Sequence, residues 1–129
     1  MEVKLLLDTN RYRDLTDGMD EVVEHLEVAE RVWLPFVVLA ELRAGFAVGR
    51  RGRQNEGVLQ TFLTKPGVGV VYPDDTTTRS YASLFRQLRQ QGTPIPTNGL
   101  WIAALAVQHN FVLYTRDEHF EHLPQTPRL

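Results

Sequence analysis

The chain of 129 residues contains no cysteine. That absence excludes disulfides and thiolate metal sites. Lysine is scarce: Lys4 and Lys65 are the only two, and the other twelve basic residues are arginine. Arginine's planar fork suits bidentate recognition of phosphate and carboxylate. No apolar run approaches the ~18 residues that span a bilayer. The start Met1-Glu2-Val3-Lys4, with three leucines before Asp8, is not a secretory signal. The expected compartment is therefore the cytoplasm, with no membrane association. The formal charge is only −2, so the molecule as a whole is not a cationic nucleic-acid sponge. There is no phosphate-binding P-loop. Gly67-Val68-Gly69 precedes a strand and lacks the third glycine of a dinucleotide loop. Ser80 and Ser83 lie inside a surface helix, without the context of a Ser/His/Asp triad.

What is present reads as one domain over residues 1–129, with a hydrophobic fraction of 43% that supplies a real core. Residues 3–7 read as a buried strand, followed by a short helix from Asp8 or Thr9 that Asp17-Gly18 closes. Residues 19–30 form an amphipathic helix with Val22, Val23, Leu26 and Ala29 on one side. Residues 31–34 are a second strand, and Pro35 opens a helix to about Val48. A basic turn over 49–53 leads to a helix over 54–64, which Pro66-Gly67 ends. Residues 68–72 form a third strand. Asp75 is an N-cap candidate for a helix over 75–91, closed by Gly92. The stiff loop 93–96 precedes a nearly all-apolar, buried helix over 98–109. Residues 111–114 are a fourth strand, and the tail holds at most one helical turn. Strands alternating with helices imply an α/β fold, a three-layer α/β/α sandwich around a central parallel sheet.

The chemistry lies in carboxylates at strand ends. Asp8 follows the first strand, and Asp117 follows the fourth after Thr115 and Arg116. Ligands of open α/β sheets bind outside the carboxyl ends of the strands. Acids gathered there in a cysteine-free chain suggest a hard cation, Mg²⁺ or Mn²⁺. Glu41 interrupts an apolar helical stretch and shares a side with Val37, Val38, Ala44 and Val48. A buried glutamate must be partnered, protonated or metal-bound. Each acid also has a structural alternative: Asp8 an N-cap, Glu41 an ion pair with an arginine such as Arg116, Asp117 the cap of Glu118-His119-Phe120. Asp74-Asp75 reads as turn and cap chemistry. His119 and His122 lack a third ligand and read as a solvated tail. Arg50, Arg51 and Arg53 are the densest basic patch, which Arg86, Arg89 and Arg116 extend; it reads either as ordinary solvated turn and helix surface or as a phosphate-tracking rim around an acidic metal centre. An aspartyl-phosphate mechanism of the haloacid-dehalogenase pattern fits poorly, because Asn10 stands where a second aspartate is required.

Four stretches resemble the PIN-domain ribonucleases, and specifically the VapC-type toxins of bacterial toxin–antitoxin pairs. They are Leu6-Leu7-Asp8-Thr9-Asn10, Val38-Leu39-Ala40-Glu41-Leu42-Arg43-Ala44-Gly45, Ile95-Pro96-Thr97-Asn98-Gly99-Leu100-Trp101-Ile102-Ala103-Ala104 and Leu113-Tyr114-Thr115-Arg116-Asp117-Glu118-His119-Phe120. They span nearly the whole chain in the family's order.

The resemblance implies a Mg²⁺- or Mn²⁺-dependent endoribonuclease acting on an RNA substrate. It also implies a homodimer, inhibited by a cognate antitoxin in a heterotetramer or larger complex. Asp8, Glu41 and Asp117 match the family's acidic positions, and Thr115 matches a polar position beside them. Asn10 and Thr115 are expected to orient the metal ligands. The family usually carries aspartate after the asparagine at the start of the late apolar helix. Here that position is Gly99. Two readings stay open: a toxin impaired by Gly99, and a catalytically dead relative that binds RNA or antitoxin without cleavage.

Overall fold

The computed structural model describes residues 3–129. The elements are β1 (Lys4–Leu7), α1 (Thr9–Thr16), α2 (Asp20–Val28), β2 (Arg31–Pro35), α3 (Phe36–Val48), α4 (Gly52–Leu63), β3 (Val68–Val71), α5 (Asp75–Gln91), α6 (Thr97–His109) and β4 (Val112–Tyr114). A 3₁₀ turn over Glu118–His122 follows. All pairings are parallel, and the strand order is β3-β2-β1-β4. The α/β sandwich expected from the alternation of strands and helices is thus what the chain forms. Among the described residues no helix is long and apolar enough to cross a membrane.

The order carries the functional consequence. From β1 the chain steps sideways to β2 and β3, then returns across the sheet to place β4 on the far side of β1. This reversal lies between β1 and β4, the place where open parallel sheets leave a crevice for ligands. Leu7 is in register with Tyr114. The Asp8 amide donates to the Tyr114 carbonyl at 3.1 Å. The segments leaving β1 and β4 therefore start level, with Asp8 beside Thr115.

β1 is central, and its Leu5, Leu6 and Leu7 are all buried, as a strand covered on both faces requires. Side chains of β2 alternate between faces. On one face Tyr12 of α1 meets Phe62 of α4 edge-on, and a groove of about 960 Å³ between α1, α2 and α4 reaches Val32 and Val68. On the other, Trp33 stacks on Phe111, while Tyr81 of α5 packs on Trp101 of α6. α6 buries Leu100 and the run from Ile102 to Ala106, as its apolar sequence demands. Beyond β4, the tail adds a short parallel bridge: the Leu113 amide donates to the Pro127 carbonyl at 2.8 Å, and the Leu129 amide to the Leu113 carbonyl at 2.9 Å.

Several boundaries differ from the sequence reading for local reasons. Pro35 completes β2 and caps α3, so that helix starts at Phe36. Asp74, not Asp75, is the N-cap of α5, in a capping box closed by Thr77. Gly52 and Arg53 already belong to α4, which shortens the basic turn. Tyr72 lies outside β3 and is exposed.

One glycine is required by packing. Gly69 sits opposite Trp33 in the β2–β3 register, and a Cβ there would come 2.9 Å from the indole ring. Gly69→Val is therefore expected to destabilise the protein by ~1–3 kcal/mol through overpacking, despite valine's preference for strands. Denaturant melts check this, and unchanged stability would show that Trp33 moves aside freely.

Candidate active site

The crevice at the reversal is a cleft of about 550 Å³ that Asp8, Glu41 and Asp117 all line, together with Asn10, Gly99 and Arg116. Thr115 lies directly beneath it, bonded to Asp8.

Asp8 is the buried member, 7% exposed. It is both the N-cap of α1 and a cleft residue. One oxygen, Oδ1, accepts from the Thr9 amide at 2.8 Å. The other, Oδ2, accepts from the Thr115 hydroxyl at 2.7 Å and from the Asn10 amide at 3.5 Å. Burial pushes the Asp8 carboxyl above its usual value of 3.8; the bonds from Thr115 and Thr9 oppose this, and the charge of Asp117 adds to it.

Thr115 joins the two strand-end acids. While its hydroxyl donates to Asp8, its oxygen accepts from the Asp117 amide at 2.9 Å. Asn10 spans the same gap, because its Oδ1 accepts from the Arg116 amide at 3.2 Å. Asp117 caps the last turn, with Oδ1 accepting from the His119 amide at 2.9 Å and lying 2.8 Å from His119 Nδ1. The capping readings of Asp8 and Asp117 are therefore real, and the same residues still border the cleft.

Glu41 is half-buried. Its Oε2 accepts from the Thr9 hydroxyl and its Oε1 from the Asn98 amide, both at 3.2 Å. The ion pair with Arg116 does not form, because Arg116 binds Asp14 instead. Glu41 stands at the end of the buried stripe: Val37 and Val38 are buried, whereas Ala44 is exposed and Val48 is 89% exposed. In the second half of α3 only Phe46 still packs against the core.

Gly99 lies in the first turn of α6 and faces the cleft. A Cβ there would meet Phe120 at 3.6 Å and Ile95 at 3.7 Å, ordinary contact distances. The backbone does not demand glycine at this position.

The basic patch falls elsewhere. Arg50, Arg51 and Arg53 stand at the corner between α3 and α4 and do not line the cleft, whereas Arg116 does. Sequence reasoning missed Arg13, which lines the cleft from α1, and Asn98, which holds Glu41. Arg13 follows Thr9 by one helical turn, a spacing that places it on the same side of α1.

Among the described residues no three acidic or histidine side chains stand together closely enough to hold a metal by themselves. The donors that face the cleft are nevertheless oxygen-only. Asp8 carries a burial penalty on its charge that a cation would relieve. Mg²⁺ in particular is commonly held by one or two carboxylates, with waters and substrate phosphates completing the shell. The residues fit such an ion in kind.

The direction of the Asp8 shift fixes a pH dependence. A carboxyl whose folded pKa is raised favours the fold below its unfolded value of 3.8, and that contribution is lost as pH rises through the folded value. Asp8→Asn in metal-free buffer is expected to be more stable than the parent chain at pH 7, with the difference shrinking as pH falls toward 3.8. Thermal melts with chelator across this range test it. A loss of stability at pH 7 would mean that the hydrogen bonds of the charged form outweigh its burial.

Residues 5–125 match the sequence profile of the PIN domain. The chain is 35% identical over 121 residues to the VapC ribonuclease Y4jK of Sinorhizobium fredii, covering 88% of this chain and 86% of that one. It is similar in structure to VapBC2 from Rickettsia felis, solved bound to a DNA fragment from its promoter, with TM-score 0.88, 26% identity and 98% of each chain covered. VapBC-5 from Mycobacterium tuberculosis, a member of the VapBC family of toxin–antitoxin systems, aligns with TM-score 0.74 and 26% identity over 97% of this chain and 94% of that one. On these matches, and on the acids at its strand reversal, the chain belongs to the PIN domain family, among the VapC ribonucleases.

Proposed function

We propose that this chain is the toxin of a type II toxin–antitoxin system, a divalent-metal-dependent endoribonuclease acting on RNA in the cytoplasm, with turnover limited by Gly99. The observation that carries this reading is the gathering of Asp8, Glu41 and Asp117 around one cleft at the β1–β4 reversal. Asp8 and Asp117 supply carboxylate oxygens from the two strand ends, and Glu41 supplies a third acid from α3. Thr115 and Asn10 hold Asp8 in one orientation. When bound, a divalent cation such as Mg²⁺ or Mn²⁺ lowers the pKa of a water and offsets charge building on the scissile phosphate. Arg13 and Arg116, both at the cleft, are placed to hold flanking phosphates.

Gly99 also favours a second reading, a relative that binds RNA or antitoxin without cutting. One experiment separates the two. Gly99→Asp adds a carboxylate where the structure has room for its Cβ, at a helix start that favours acids. An added acidic ligand worth several kcal/mol corresponds to a roughly 10²–10⁴-fold gain in cleavage. RNA cleavage by the chain and by Gly99→Asp, at matched Mg²⁺, measures it. Asp8→Asn should abolish cleavage in either background. If Gly99→Asp is as inactive as the starting chain, the non-catalytic reading stands. If both are equally and highly active, position 99 lies outside the catalytic cluster.

The partner in this reading is an antitoxin encoded beside the toxin gene. The groove between α1, α2 and α4 suits an apolar segment, for it exposes Val58 and reaches Phe62, Leu26 and Val23. Val58→Asp is expected to weaken the toxin–antitoxin complex at least tenfold by burying an unpaired charge. Titration of the co-expressed partner by calorimetry reads this, and an unchanged affinity would move the interface elsewhere.

A further inference from the structure

Asp14 is the most buried acid outside the cleft, at 5% exposure, and it bonds two arginines at once. Arg11 Nη1 donates to Oδ2 at 3.1 Å. Arg116 donates through Nε to Oδ2 at 3.0 Å and through Nη2 to Oδ1 at 3.1 Å, the bidentate fork. The side chain of Arg11 is 14% exposed and lies over the Tyr114 ring. That of Arg116 is 54% exposed and borders the cleft.

One arginine suffices to neutralise Asp14, and the largely covered Arg11 does so. The second leaves the trio with a net charge of +1, carried by the half-exposed member at the cleft. Arg116 is also pinned at its backbone, because its amide donates to Asn10. Asn10 and Asp14 are four residues apart on α1, so one helix face grips both ends of Arg116. Two of the five guanidinium N–H groups are taken by Asp14, and three remain.

Resting on the ribonuclease reading above, we propose that Asp14 is a positioning residue: it holds the Arg116 guanidinium at the cleft so that its remaining N–H groups receive a phosphate of the RNA backbone. A tie that served stability alone would affect melting without affecting RNA affinity or its salt dependence.

The test measures binding, which does not depend on turnover. A short fluorescein-labelled oligouridine is titrated with the full chain across a salt series in chelator. Arg116→Ala should bind roughly five- to tenfold more weakly and lower the slope of log K against log salt by about 0.7, one phosphate contact on a single strand. Arg116→Lys keeps the charge but loses the fork. It should retain the slope while losing most of the same affinity. Asp14→Asn should behave like Arg116→Lys, and Asp14→Asn combined with Arg116→Ala should bind no worse than Arg116→Ala alone. Arg79→Ala, on the exposed face of α5, controls for loss of charge. If Asp14→Asn does not fold, Arg116→Lys decides. Wild-type affinity in Arg116→Lys overturns the positioning role, as do full additivity in the double variant and an Arg79→Ala effect equal to that of Arg116→Ala. If the wild-type chain binds no RNA, the ribonuclease reading falls first and this inference with it.

Discussion

A carboxylate buried at the end of the central strand is the constraint around which the rest is arranged. Asp8 has almost no water to solvate it, so its charge must be met by donors from the protein. Those donors come from different parts of the chain: the first turn of α1 and the exit of β4. Satisfying Asp8 therefore locks α1 against β4. The Thr115 hydroxyl that donates to Asp8 also fixes the backbone of Asp117. The electrostatic demand of the site and the docking of two secondary elements are met by the same few bonds. Stability and site geometry cannot be varied independently here.

The fold was legible because apolar strands alternate with helices along the chain. The acids at its strand ends were legible because residues after parallel strands face a shared edge. The strand order was not, since it depends on which strands pair across long separations, and only that order brings the end of β4 beside the end of β1. Glu41 shows how a local pattern misleads. The apolar run around it suggested a continuous buried stripe, yet beyond Leu42 only Phe46 of α3 still packs on the core, and two neutral donors hold the carboxylate. The basic cluster misleads in the opposite way. Arg50, Arg51 and Arg53 are close in sequence but do not line the cleft, whereas Arg13 and Arg116 are far apart in sequence and both line it. Capping does not remove an acid from the cleft, since Asp8 and Asp117 cap helices and line it as well.

The glycines sharpen the contrast between packing and chemistry. At Gly69 any side chain collides with Trp33, so the residue is dictated by the sheet. At Gly99 a side chain fits, and the φ angle is not of the left-handed kind. Glycine at position 99 costs the helix start some stability relative to alanine. Neither the backbone conformation nor the packing at position 99 requires glycine.

The bridge between the tail and β4 has a consequence for how the molecule keeps to itself. β4 is an edge strand, and an uncovered edge offers a template for strands of other molecules. Leu113 directs its amide and carbonyl to Pro127 and Leu129, so that edge is occupied from within the chain. Pro127, having no amide proton, passes no further donor outward. Fraying of the last few residues would uncover a strand that leads straight into Thr115 and Asp117. Hydrogen exchange at the Leu113 amide thus reports whether that edge is covered and whether the segment that leads to the cleft is held.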